Sequence, residues 1–161
     1  MKINLTKEIV SYFESITGGR PPYVISVDTF NKEPEQIDDD TFSLELGDAE
    51  FNNPLIHLNV NMKTHMYERD NLDMGRSEFY VSLADTLLHE ITHLSQEDTI
   101  ETHDEFDSKY FMGPYESQPG EIAAMNVEAS APQNIKSWAA SIIRKLSIQP
   151  MNESISHYFN F

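Results

Sequence analysis

His89, Glu90 and His93 stand in an H-E-x-x-H sequence, His89-Glu90-Ile91-Thr92-His93, inside a stretch with helical character. Four residues advance a helix by little more than one turn, so both histidines project from one face and both imidazoles can reach one metal ion. Glu90 lies beside His89 around the helix, where it can act on water as a general base without being a ligand itself. By chance such a pattern arises in a chain this long on the order of once in a few hundred sequences, so its context has to strengthen it. The stretch 77–96 contains no Gly or Pro, and Ser77 is a candidate cap. Its apolar residues Tyr80, Leu83, Ala84, Leu87, Leu88, Ile91 and Leu94 recur at helical spacing, while Ser82, Thr86, His89, His93 and Gln96 follow a separate stripe. The histidines therefore sit off the main core face. Two ordinary surface histidines are the alternative to a metal pair.

A catalytic zinc site usually has three protein ligands and one open position, so a third donor is sought downstream. Glu121 fits best. Pro119 and Gly120 punctuate the chain just before an Ala-rich helical run, which places Glu121 in a first helical turn, where the helix dipole favours an anion. Ala123 and Ala124 are small enough to let this helix approach the first closely. His103, ten residues after His93 in an acidic segment, is the competing ligand, with Asp104 and Asp107 behind it.

At these residues the chain resembles the gluzincin branch of the zinc metallopeptidases, whose third ligand is a Glu on a helix after the H-E-x-x-H helix. The likeness is greatest to minimal members, some of them phage-encoded, that carry a Tyr, a Pro and then a Glu followed by a small residue; here these are Tyr115, Pro119, Glu121 and Ala124. It extends over about 77–130. The resemblance implies that His89, His93 and Glu121 hold Zn2+, that Glu90 activates water for peptide-bond hydrolysis, and that Tyr115 stabilises the oxyanion. It also implies an α+β, zincin-like minimal core: an N-terminal helix, a sheet of three or more strands, the H-E-x-x-H helix, a second ligand helix and a C-terminal helix. There are departures. Where thermolysin-like members have an acidic residue four positions after the ligand Glu, this chain has Met125, and Glu128 is the nearest substitute. Metzincins need a histidine at the position of Thr99, so that branch is disfavoured.

Composition is that of one folded domain, 1–161, large enough to bury a core unaided. Hydrophobic content of 39% and aromatic content of 11% argue against wholesale disorder, and the absence of cysteine excludes disulfides and thiolate metal sites. Neither a signal peptide nor a transmembrane run is apparent, which makes a cytoplasmic protein the expectation, with release by lysis or a partner as another route. Acidic residues outnumber basic ones 27 to 11, for a formal net charge of −16. Nucleic acid and membrane are disfavoured as partners, and a peptide or protein substrate of basic character is favoured, though an acidic surface also simply aids solubility.

The remaining elements must position the pair of helices. A first helix is predicted over about 5–16, ending at Gly18-Gly19, and a last one over about 135–146 with Trp138 as a core anchor. Strands are predicted at 23–30, 41–46 and 55–60. The third of these, just before the metal helix, is the candidate to pair with an extended substrate, with Asn59 or Asn61 touching its backbone. The connection 61–75 reads as a loop in which His65, Tyr67 or Arg69 overhangs the site, and His157 near the C-terminus is a further oxyanion donor to weigh. The alternative functions are a catalytically silent scaffold, acting as a protein-binding module or viral accessory factor, and metal-dependent hydrolysis of a non-peptide amide.

Overall fold

The computed structural model describes residues 1–146, so His157 lies outside the described residues. The described residues are α+β, with six α-helices and a small mixed sheet. It begins with a short strand, β1 (Lys2–Asn4), and then α1 (Lys7–Thr17), which Thr6 caps by accepting from Ile9 N. The expected left-handed turn follows at Gly18, with φ 82°. β2 (Val24–Phe30) matches the first predicted strand and lies antiparallel to β1. A separate two-stranded ladder, β3 (Glu35–Gln36) with β4 (Phe42–Ser43), precedes β5 (Gly47–Ala49) and β6 (Leu55–Asn59). The main sheet has the order β1-β2-β6-β5, with β6 parallel to β2 and antiparallel to β5.

Two expectations about strands are corrected here. The predicted strand 41–46 contributes only Phe42–Ser43, and to the small ladder; the chain joins the main sheet just afterwards, at Gly47. Side-chain alternation fixes which face a residue takes but not which neighbour it pairs with, and Gly47-Asp48 reads as a turn signal. The predicted substrate strand, β6, is internal, with β2 on one side and β5 on the other, so its backbone groups are already paired. Asn59 and Asn61 are structural as well. Asn59 is wholly buried and its Nδ2 donates to the carbonyls of Lys32 and Glu45 at 2.8 and 2.7 Å. Asn61 caps the helix after it, accepting from Thr64 N at 3.1 Å.

That helix, α2 (Met62–Glu68), replaces the expected loop, because Asn61 supplies a cap and Met62, Thr64 and His65 supply a buried face. Next comes the long α3 (Arg76–Glu97), whose start is held by Glu78 reaching back to Gly75 N, two residues earlier than the expected Ser77 cap. Leu83, Leu87, Leu88 and Ile91 are fully buried against the sheet and the other helices, each contributing about 2–3 kcal/mol by burial alone. The polar stripe turns elsewhere, toward α2 and the cleft. α4 (His103–Tyr110) forms in the acidic segment, where Thr102 caps it and Asp104 and Glu105 suit its N-terminal dipole. α5 (Pro119–Ser130) starts with Pro at its first position, and α6 (Gln133–Lys145) closes the fold with Trp138 packed on the core. α3 packs against β5, β6 and every other helix. Among the described residues, no helix is long and apolar enough to cross a membrane.

α2 is tied to α3 through one buried histidine. His65 Nε2 donates to the Asn59 carbonyl at 2.6 Å, and Nδ1 meets Ser82 Oγ at 2.6 Å. Burial pushes its pKa down to about 4, and the nearby Arg69 adds to the effect. In the unfolded chain a histidine titrates near pH 6.5, so as pH falls the unfolded state takes up this proton first. The stabilisation is full above about pH 6.5 and drains away as pH falls toward about 4, by up to about 3 kcal/mol. The stability difference between chelator-treated wild type and His65→Gln, read from denaturant midpoints, should therefore shrink over that window; a difference independent of pH would contradict this account.

Candidate metal centre

α3 and α5 pack side by side, and the contact is close because Ala124 is wholly buried between them. This brings Glu121, in the first turn of α5, opposite the two histidines of α3. Its Oε2 lies 3.0 Å from His89 Nε2 and its Oε1 lies 2.9 Å from His93 Nε2. The imidazole rings stand 4.8 Å apart at 81°, so both Nε2 atoms face the same carboxylate. His89, Glu90 and His93 offer ligand-type atoms all within 4.8 Å of one another, a group that could hold a metal ion. Glu90 is only 7% exposed and borders the same cleft.

Each imidazole is also held from behind. His93 Nδ1 donates to Gln96 Oε1 at 2.9 Å, and Gln96 Nε2 donates to the Gly120 carbonyl at 3.0 Å. One buried amide thus orients His93 and pins the start of the helix carrying Glu121. His89 Nδ1 lies 3.5 Å from Glu128 Oε1, and Glu128 in turn pairs with Arg69 at 3.3 Å. Arg69, directly after α2, also donates from Nε to Ser82 Oγ at 3.0 Å, which joins this chain to the buried His65. Partners on the far nitrogen fix the tautomer that leaves Nε2 toward a metal and raise the basicity of the ring. The residues therefore fit a metal bound through two Nε2 atoms and a carboxylate.

Electrostatics follow from this packing. Burial pushes the His89 imidazole down, but contacts with Glu121 and Glu128 outweigh it and raise its pKa to about 10. His93 is raised for the same reason, Glu121 overcoming burial. Burial would raise Glu121, yet the two imidazoles and the Tyr115 hydroxyl hold it well below the usual carboxylate range. Glu90 is shifted the other way: burial raises it, with the two histidines partly offsetting that. Two carboxylates within one cleft are thus pushed apart, one toward permanent charge and one toward proton exchange. Tyr115 belongs to a 3-10 turn (Tyr115–Ser117), and its hydroxyl faces Glu121, which, after burial, keeps its pKa high.

The five residues singled out from sequence, His89, Glu90, His93, Tyr115 and Glu121, all line one open cleft of about 510 Å³. Of the competitors, His103 also lines the cleft, but it begins α4 with its side chain 60% exposed, 3.5 Å from Asp107 and with its ring against Phe51, while Asp104 is exposed and outside the cleft wall. Glu128, which a solvated helix face would also explain, is instead largely buried against His89 and Arg69. Arg69, one of three residues expected to overhang the site, does line the cleft, but its pairing with Glu128 had no signal in the sequence. Two further contributors were not given a role from sequence. Gln96 lies on the histidine stripe, which was its signal. Gly47 is the other: a Cβ there would sit 2.8 Å from Thr86 Cγ2 and 3.3 Å from Glu90 Cγ, so glycine lets β5 pass directly over Glu90.

Glu128→Gln keeps the shape but removes the charge behind His89. Its affinity for a divalent metal, measured by competition with a chromophoric chelator, should fall by about 10–100-fold. Unchanged affinity would mean that Glu128 does not orient the ring.

Comparison of the chain with models of known families, with curated proteins and with solved structures finds no match.

Proposed function

We propose that this protein is a zinc-dependent peptidase of the gluzincin type, built on a zincin-like core in which α3 and α5 supply the ligands and β5 borders the cleft. The observation that carries the reading is the Glu121 carboxylate bridging the Nε2 atoms of His89 and His93, beside a buried Glu90 that takes no part in that bridge. His89, His93 and Glu121 would hold the ion. The chemistry supplied by bound zinc is that of a Lewis acid, polarising a carbonyl and bringing the pKa of water toward neutrality. Glu90 takes a proton from the attacking water and returns it to the departing amine, a role that suits a carboxylate whose pKa is raised by burial. Tyr115, 56% exposed at the rim and facing Glu121, donates to the oxyanion.

Substrate binding follows from the sheet. β5 ends the strand order and lines the cleft, so its outer edge is placed to receive an extended peptide by strand addition. The cleft wall includes Asp48, Glu68, Glu97 and Glu128 against Arg69, which is itself paired with Glu128. With a net charge of −16, this favours peptides carrying basic residues and disfavours polyanions.

Glu90→Gln keeps the volume and removes the base. Cleavage of a mixed peptide pool should fall at least about 100-fold with metal content unchanged. Undiminished cleavage by Glu90→Gln would contradict the role given to this carboxylate.

A further inference from the structure

The cleft changes character along α3. Around His89 it is charged, with Glu128 and Arg69 in contact and Glu68 close by. Around His93 it is mainly aromatic, although Glu97 and His103 also line it and the His103 ring lies 5.1 Å from Phe51. The Phe111 ring meets His93 edge-on at 5.2 Å, Phe106 lies 4.9 Å from Phe111, and Phe51 lies 5.5 Å from Phe106. These rings come from separate segments: Phe51 from the turn between β5 and β6, Phe106 from α4, and Phe111 from the residue after it. None of the three belongs to the main hydrophobic core and each is only partly buried, although a phenylalanine is among the side chains most often hidden. All three line the cleft.

The wall is seated against the ligand helix. A Cβ on Gly120 would fall 3.0 Å from Phe111 Cε1 and Cζ and 2.8 Å from Tyr110 Cβ, so glycine at this position lets Phe111 rest on the first turn of α5, one residue before Glu121. The aromatic surface is therefore continuous with the candidate metal centre. A peptide whose scissile carbonyl lies at His89, His93 and Glu121, along β5, must pass a neighbouring side chain in front of Phe111 and Phe106.

We propose that Phe51, Phe106 and Phe111 form a subsite that takes one large apolar or aromatic side chain of the peptide, adjacent to the scissile bond; this rests on the peptidase reading. Aromatic walls receive such side chains edge-to-face, and burying one changes binding by an order of magnitude or more. Together with the acidic far end of the cleft, this selects peptides that combine an apolar residue on the His93 side with basic residues on the His89 side.

The test has two arms. Zinc-loaded wild type, Phe106→Ala and Phe51→Ala digest a pool of peptides of random sequence, with cleavage sites read by mass spectrometry. In parallel, the Glu90→Gln protein, with and without Phe106→Ala, binds two labelled peptides that differ only in Phe against Gly, followed by fluorescence anisotropy. Circular dichroism establishes that both Phe variants are folded, and Phe51, in a turn, stands in if Phe106→Ala is not. The expected result is enrichment of large apolar residues at one position beside the cleaved bond, about tenfold tighter binding of the Phe peptide, and loss of both preferences in the variants. Cleavage without that enrichment overturns the subsite and leaves the peptidase reading standing. No cleavage, with the Phe preference in binding intact and lost in Phe106→Ala, supports the subsite and sinks the peptidase reading. Equal binding of the two peptides, or a wild-type dimer that Phe106→Ala dissolves, overturns the subsite.

Discussion

One carboxylate set against two imidazoles is the contact around which this molecule is arranged. Glu121 reaches His89 and His93 at 3.0 and 2.9 Å across the interface of two helices, where its own charge would be costly without those partners. The interface can be that close because Ala124 is small and wholly buried, and it is kept in register by Gln96, which holds His93 with one end of its amide and the Gly120 carbonyl with the other. A shift of α5 along α3 would break all of these contacts together. Placement of the site and packing of the helices are therefore one constraint.

Behind the contact lies a polar layer that a core built for stability alone would not contain. Arg69 joins Glu128, and through Ser82 it meets the buried His65, so α2 is coupled to the ring of His89 although it contributes no ligand. Buried networks of this kind stabilise little compared with apolar packing, but a fully satisfied one fixes geometry, and no described buried side-chain nitrogen or oxygen lacks a partner. The apolar side of α3, with Leu83, Leu87, Leu88 and Ile91, supplies the stability that lets the opposite stripe remain polar. Gly47 completes the arrangement from the sheet by letting β5 run over Glu90.

How much of this was legible in the sequence depends on how local each signal is. His89 and His93 are four residues apart on one helix, and Glu121 follows Pro119 at a helix start, so spacing and helix-start chemistry were enough to bring the three together. α1, α5 and α6 were legible for the same reason, each marked by caps, breakers or a helical period. What remained hidden depends on contacts between distant segments. Leu55–Asn59 reads as a good strand whether central or at an edge, and only the pairing of Gly47–Ala49 beside it decides that it is central. Arg69 lies 59 residues from the Glu128 it pairs with, a distance across which single residues carry no pattern. α2 and α4 were missed because their caps, Asn61 and Thr102, resemble ordinary turn residues and the helices are short.

The central claim is that Glu121, and not His103, completes the ligand set. Elemental mass spectrometry of untagged protein purified without added metal, as wild type, Glu121→Ala and His103→Ala, tests it directly. The account predicts close to one zinc per chain in wild type and in His103→Ala, and loss of the metal from Glu121→Ala. Zinc retained by Glu121→Ala but lost from His103→Ala would contradict it, as would a wild type that holds no zinc even after supplementation.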